Sequence, residues 1–246
     1  IDTLSNIKSL SGPQFLHIAT KKGFGFSPAE SDPNKFHGIS KKSTSTNNIT
    51  YTEVFSSWLL DAAIKNKLLC AITPALADGS GLTKFAKKYP KRFFDVGIAE
   101  QHALTFAAGL ASNKIKPVVA IYSSFLQRGY DQFIHDVALQ NIPMLFAIDR
   151  AGIVGADGPT HSGNFDISFL RCIPNVILMA PSNENECYAM LEYGYKYNGV
   201  CAVRYPRGSG MSKKVNKNLG DIKLGKSKTL FSGKKIVILA FGPILN

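Results

Sequence analysis

Long apolar runs are missing from this sequence of 246 residues. No stretch approaches the roughly 18 consecutive apolar residues a membrane-spanning helix needs, so no membrane partner is expected. No succession of basic, apolar and small residues marks a secretory leader at the start. The first residue is Ile1 rather than Met, which reads as a fragment or a processed product whose targeting segment is out of view. Cysteine is scarce, with Cys70, Cys172, Cys187 and Cys201 the full set. None forms a C-x-x-C pair and three sit in apolar or helical-looking stretches, so buried thiols in a reducing compartment are expected. Acidic charge is also short, 17 Asp and Glu against 29 Lys and Arg, for a formal net charge of +12. The lysines fall in scattered doublets such as Lys21-Lys22 and Lys234-Lys235, with no basic stripe interleaved with aromatics, so no nucleic-acid partner is expected. Arginine behaves differently. Apart from Arg92, every arginine lies between Arg128 and Arg207. Arginine favours bidentate recognition of phosphate or carboxylate, so this concentration hints at an anionic small molecule; surface ion pairing is the plain alternative.

What is present is a hydrophobic content of 45%, enough for a sizeable core in one large domain or two small ones. Gln14-Phe-Leu-His-Ile-Ala-Thr20 reads as a short strand, and Gly23 and Gly25 allow the backbone to turn just after it. Residues 40–48 hold almost only Ser, Thr, Lys and Asn and read as a linker. Thr50-Tyr-Thr-Glu53 offers a capping box for an amphipathic helix running to about Lys67. From there strands (68–73, 117–122, 143–148, 176–179, 200–203) alternate with helices (82–89, 98–112, 125–140, 184–197). Continuous apolar strands alternating with helices predict an α/β fold, a parallel sheet with helices on both faces. Residues 208–233 read as a second linker, and Lys235-Ile-Val-Ile-Leu-Ala-Phe-Gly242 as a further buried strand. The expected division is 1–45, 46–212 and 213–246.

Three polar clusters interrupt the apolar background of residues 94–165: Asp95-Val-Gly-Ile-Ala-Glu-Gln-His102, Ile121-Tyr-Ser-Ser-Phe-Leu-Gln-Arg128, and Asp149-Arg-Ala-Gly-Ile-Val-Gly-Ala-Asp-Gly-Pro-Thr-His161. A buried polar group without a partner costs roughly 1–3 kcal/mol, so such clusters need partners or a task. Ligands of parallel sheets bind beyond the carboxyl ends of the strands, where Tyr122, Arg150 and Arg204–Arg207 follow strands.

Phe94-Asp-Val-Gly-Ile-Ala-Glu-Gln-His-Ala-Leu-Thr-Phe-Ala-Ala-Gly109 resembles the central, pyrimidine-binding domain of transketolase-type thiamine diphosphate enzymes. With residues 121–136, 149–161, Arg204-Tyr-Pro-Arg-Gly208, Gly12-Pro-Gln-Phe-Leu-His17 and 32–37, it resembles more narrowly the 1-deoxy-D-xylulose-5-phosphate synthase family. The resemblance covers essentially the whole chain: the end of a diphosphate-binding first domain (1–45), the pyrimidine-binding domain (46–212), and a linker with the first strand of a third domain (213–246). It implies a transferase that joins pyruvate to D-glyceraldehyde 3-phosphate and releases carbon dioxide, the first step of the methylerythritol phosphate route to isoprenoids and a source for thiamine biosynthesis. It implies a homodimer of the full-length chain with thiamine diphosphate and Mg2+ as cofactors.

The resemblance also implies roles. Glu100 is the carboxyl group facing the aminopyrimidine ring nitrogen N1′, favouring the imino tautomer that accepts the thiazolium proton. A helix-start position favours its charged form and burial beside an apolar ring disfavours it, and both stay open. Phe125 matches the aromatic that stacks on the pyrimidine, where core packing is the alternative. Tyr122, Arg128, Arg150 and Arg207 match the polar ring around substrate, with Arg150, Arg207 and Tyr122 as the phosphate clamp and Arg128 open between substrate and structure. Asp157 and His161 match groups that contact substrate or intermediate, His37 a histidine that reaches the reacting centre, and Lys22 a residue near the diphosphate. A capped turn, a linker-edge histidine and a surface lysine are the respective alternatives. His102 and His135 lie inside helical stretches and read as structural.

The family's Gly-Asp-Gly…Asn signature for metal and diphosphate is absent, and Asp157-Gly158 belongs to the other loop. The metal ligands are therefore expected outside this sequence, which alone should not turn over. Another thiamine diphosphate enzyme, such as a transketolase or a 2-oxoacid dehydrogenase subunit, and a non-catalytic partner-binding module remain the alternatives. Lysine and asparagine richness outside the motifs fits an AT-rich genome, hence a plastid-type organelle (apicoplast or chloroplast) or a bacterial cytoplasm.

Overall fold

The computed structural model describes residues 1–33, 36, 47–217 and 222–245. The chain divides into two compact units, Ile1–Ser45 and Thr46–Asn246. The first contains two short helices, α1 (Asp2–Ile7) and α2 (Ser27–Ser31). Gly23 and Gly25 take the left-handed φ values of +80° and +88° that the turn between Lys21 and Phe26 requires. Glu30 closes this turn, accepting from the Gly25 amide and pairing with Lys21. The strand expected at residues 14–20 does not form: the stretch is exposed and pairs with no strand among the described residues. Apolar alternation alone does not make a strand without a neighbour to complete its hydrogen bonds.

The second unit holds six parallel strands: β1 (Leu69–Thr73), β2 (Phe93–Asp95), β3 (Lys116–Tyr122), β4 (Met144–Asp149), β5 (Val176–Met179) and β6 (Val200–Arg204). Their order is β2-β1-β3-β4-β6-β5. Side chains alternate between the faces, as strand geometry demands. Leu69, Ala71, Val118, Ala120, Leu145 and Ala147 enter one core; Cys70, Ile72, Val119, Ile121, Phe146 and Ile148 enter the other. Because both faces are covered, the strands read as unbroken apolar runs.

The first core is closed by α3 (Tyr51–Lys65). Its capping box forms as expected, Thr50 and Glu53 each holding the other's backbone amide. Next come α4 (Thr83–Lys88) and α5 (Glu100–Ser112), the latter covering the second core. The single helix expected over 125–140 is not one helix, and residues 123–138 change pitch three times. They break into α6 (Ser123–Leu126), a 3₁₀ turn, α7 (Tyr130–Gln132) and a π turn over Phe133–Ala138. The helical apolar spacing survives these changes of pitch, which is why the sequence conceals them. After α8 (Asp166–Arg171), α9 (Glu184–Lys196) packs beside α3. Trp58 Nε1 donates to Glu192 Oε2 at 3.0 Å and Tyr188 Oη to Asp61 Oδ2 at 2.8 Å across this pair. Trp58, Phe55 and Phe146 are fully buried; each such large side chain stabilises by about 1.5–3 kcal/mol.

The strand expected at 235–242 is also absent. Ile236, Val237, Ile238 and Leu239 are 78–88% exposed and pair with nothing among the described residues. Cys70, Cys187 and Cys201 are buried, Cys172 is exposed, and all four are free thiols. No described helix is long and apolar enough to cross a membrane.

Candidate active site

The chain runs from β1 outward to β2, then returns past β1 to β3. This reversal marks the carboxyl ends of β1 and β3 as the place where parallel sheets of this kind take ligands. The two strands are sealed at that end by Thr73 Oγ1, which donates to the Ala120 carbonyl at 2.8 Å.

Glu100 reaches this rim from the turn after β2. Asp95 Oδ1 accepts from the amides of Ala75 (2.8 Å) and Gly97 (3.0 Å), and Gly97 takes φ +69° to deliver the chain to the first residue of α5. The Glu100 side chain is only 6% exposed, and Arg128 Nε donates to its Oε2 at 3.2 Å. Arg128 approaches because its neighbour is glycine. A Cβ on Gly129 would stand 3.2 Å from Leu104 and 3.3 Å from the Glu100 carbonyl.

Tyr122, at the end of β3, stacks on Phe125 with ring centroids 5.3 Å apart, and His161 sets its edge to Phe125 at 5.1 Å. His161 Nδ1 shares a 2.9 Å hydrogen bond with Thr160 Oγ1. Burial pushes the Tyr122 hydroxyl up to about 12 against the downward pull of Arg150, so it stays a proton donor at neutral pH.

Arg150 is the best-tethered cation at the rim. Its backbone adopts φ +57°, unusual for a residue with a Cβ, and Asp149 Oδ1 accepts from the Arg150 amide at 2.6 Å. Its Nη1 donates to Asp149 Oδ2 at 2.9 Å and to the Gly79 carbonyl at 2.8 Å, while its guanidinium carbon stands 4.3 Å from the Tyr122 ring centre. Asp149 Oδ2 also accepts from Thr52 Oγ1 at 2.8 Å. Burial drives the Asp149 carboxyl above the ordinary carboxylate range, with Arg150 and Thr52 opposing. Asp157 Oδ2 lies between two arginines, 3.0 Å from Arg207 Nε and 3.7 Å from Arg150 Nε. Neither contact is aligned as a hydrogen bond, and Arg150 Nε and Asp157 Oδ2 are buried without a hydrogen-bond partner among the described residues.

Among the described residues, the buried hydroxyls of Ser123, Ser124 and Tyr205, which directly follow β3 and β6, and of Ser80, in the loop after β1, also lack hydrogen-bond partners, as do Gln132 Oε1 in α7 and Glu184 Oε2 in α9. Buried polar groups are normally satisfied, so a cluster of orphans marks a place where an external group completes them.

The structure therefore brings Tyr122, Phe125, Arg150, Asp157, His161 and Arg207 together and joins Arg128 to Glu100. Lys22 lies in the first unit, and His37 lies outside the described residues. His102 and His135 are exposed on helical surfaces, His102 stacked on Phe106 and His135 paired with Asp131. Thr52, Gly79 and Asp149 were not legible as site residues. A Cβ on Gly79 would stand 2.0 Å from the Tyr122 hydroxyl. The available signals were the glycine-rich Asp78-Gly-Ser-Gly81 after the first strand and a carboxylate ending an apolar run just before Arg150.

Residues 47–212 match the pyrimidine-binding domain of transketolase. The chain belongs to the transketolase pyrimidine-binding domain family. Family relatives similar over the whole chain include a 1-deoxy-D-xylulose-5-phosphate synthase of Methylobacillus flagellatus, 59% identical, and one of Histophilus somni, 58% identical. The chain spans 41% of the length of each. A split-gene transketolase, an inactive β4 tetramer, shares the fold with a TM-score of 0.65 over 76% of this chain and 60% of its own, at 23% identity. The transketolase of Campylobacter jejuni does so with a TM-score of 0.64 over 79% of this chain and 31% of its own, at 19% identity. Among the described residues, no three His, Cys, Asp or Glu side chains are grouped to hold a metal ion.

Proposed function

We propose that this chain is the pyrimidine-binding part of a 1-deoxy-D-xylulose-5-phosphate synthase, which condenses pyruvate with D-glyceraldehyde 3-phosphate and releases carbon dioxide. The observation that carries the reading is one rim holding two kinds of group: the buried Glu100 carboxylate near the carboxyl ends of β1 and β3, and the Arg150–Asp157–Arg207 cluster beside Tyr122. The similarity to named synthases along the entire chain supports the substrate pair.

The residues present fit the pyrimidine end of thiamine diphosphate. Glu100 is a buried carboxylate with Oε2 engaged by Arg128, and Phe125 is a half-buried ring at the same rim. When bound, the cofactor supplies the electron sink for decarboxylating a 2-oxo acid. Glu100 then holds a hydrogen bond or proton at the ring nitrogen, and Arg128 orients its carboxylate. Arg150 and Arg207 receive the phosphate of the aldehyde, with Asp157 spacing the two cations and the Tyr122 hydroxyl donating. His161, its Nδ1 engaged by Thr160, has Nε2 to give or take a proton at the condensing carbonyl. Magnesium, the diphosphate grip with Lys22 and His37, and the homodimer belong in this reading to the complete enzyme. The lysine- and asparagine-rich composition supports, within this reading, a bacterial cytoplasm or a plastid-type organelle.

Replacing Glu100 with Ala in the full-length enzyme tests the reading. Formation of 1-deoxy-D-xylulose 5-phosphate should fall roughly 100-fold or more, the usual contribution of a positioned acid–base group. Unchanged turnover contradicts it. The chain assayed alone should form no product.

A further inference from the structure

We propose that Asp149 and Thr52 are positioning residues that hold Arg150 in the one geometry able to read the phosphate of the acceptor aldehyde. The proposal rests on the phosphate-clamp reading above and assigns to that clamp a buried support.

Four observations carry it. The Asp149 side chain is fully buried, so a carboxylate is kept there at the expense of its hydration. It uses both oxygens on Arg150: Oδ1 accepts from the backbone amide at 2.6 Å and Oδ2 from Nη1 at 2.9 Å. It therefore restrains the main chain and the guanidinium together. The main chain needs restraint, because φ +57° is disfavoured for arginine and persists only where surroundings over-determine it. Finally, Thr52 Oγ1, one residue into α3, donates to the same Oδ2 at 2.8 Å and fixes the carboxylate that fixes the arginine.

The consequence is directional. Nη1 is consumed inward by Asp149 and by the Gly79 carbonyl, and the guanidinium lies against the Tyr122 ring. Nε is buried 3.7 Å from Asp157 Oδ2, and Nη2, which makes no hydrogen bond to a described residue, is the donor left for an incoming oxyanion beside Arg207 and Asp157. An arginine free to sample many rotamers must be ordered on binding. One held in place beforehand retains that part of the affinity. Thr52 and Asp149 so act on phosphate recognition and not on the chemistry served by Glu100 and His161.

The test compares D-glyceraldehyde 3-phosphate with unphosphorylated D-glyceraldehyde as acceptors of the full-length holoenzyme. Thr52→Val keeps the shape of the side chain and removes the donor; Asp149→Asn keeps the shape and removes the charge. Each should raise KM for the phosphorylated aldehyde roughly fivefold or more, as loss of a hydrogen bond to a charged group does. The kcat values and the kinetics with D-glyceraldehyde should stay near wild type, and Thr52→Ser should restore the wild-type KM. Equal losses with both aldehydes, or no change with either, overturn the proposal. If Asp149→Asn does not fold, Thr52→Val and Thr52→Ser decide it. Arg150→Met run alongside separates the two levels. If it leaves the preference for the phosphorylated aldehyde intact, the clamp reading itself fails. If it removes that preference while Thr52→Val does not, only the positioning role fails.

Discussion

The two cationic corners of the rim are built differently. Arg128, 65% exposed, makes a single contact with Glu100, whereas Arg150, 13% exposed, is tied to Asp149, Gly79 and Thr52 and laid on Tyr122. The Arg128 guanidinium stands in solvent and holds the buried Glu100 carboxylate from one side only, so that carboxylate can exchange partners. A buried, multiply bonded arginine is a fixed donor. The Glu100 corner suits a group that must engage during a reaction, and the Arg150 corner suits the holding of an unchanging anion.

Several changes would break or sharpen that contrast. The largest effect is expected from Gly79→Ala, because its Cβ would stand 2.0 Å from the Tyr122 hydroxyl and next to the carbonyl that holds Arg150. We expect a loss of about 1–3 kcal/mol in urea unfolding and a large rise in KM for the phosphorylated aldehyde. A fully stable variant with wild-type KM would show that the Arg150 corner is not rigid. Tyr205→Phe should act in the opposite direction. The Tyr205 hydroxyl is buried and without a hydrogen-bond partner among the described residues, so its removal should stabilise the fold by about 1 kcal/mol in the same measurement. Thr50→Ala removes one arm of the capping box of α3, the helix that carries Thr52. It should cost about 1 kcal/mol with little change in KM, separating the stability of α3 from the role of Thr52. Arg128→Met leaves the buried Glu100 carboxylate without its cation and should cost about 1 kcal/mol in the same measurement while lowering turnover.

The pH dependence follows from burial. Cys70 is pushed from 9.0 to about 11, Cys201 from 9.0 to about 12, and Tyr122 from 10.0 to about 12. Each folded-state value lies above its unfolded one, so the stability these groups contribute is complete below the unfolded values and is lost as pH rises through the folded ones. Urea titrations should show stability falling between about pH 9 and pH 12 with no acid limb from these three groups. Cys70→Ala should flatten the first part of that fall.

The sheet was legible because its strands are buried on both faces and so stand out as unbroken apolar runs, Val118–Ile121 and Leu145–Ile148 among them. The same signal misled at 14–20 and 236–239, where a strand-like pattern has no neighbour to pair with. The three-residue β2 and the short α8 carry too few residues to show a period. For the candidate site, the sequence singled out Glu100, Tyr122, Phe125, Arg150, Asp157, His161 and Arg207 because chemical residue types followed strand ends or filled a motif. Asp149, Thr52 and Gly79 could not. Their part depends on a left-handed backbone, a helix start 97 residues away from its partner, and the space a missing side chain leaves, none of which the sequence displays.

The division of labour between the two corners is tested most directly by kcat/KM for D-glyceraldehyde 3-phosphate relative to D-glyceraldehyde, measured in full-length Glu100→Gln and Arg150→Met side by side. Glu100→Gln should lower both values alike and leave their ratio unchanged, while Arg150→Met should lower the ratio roughly tenfold or more. A ratio that shifts with Glu100→Gln and holds with Arg150→Met would contradict it.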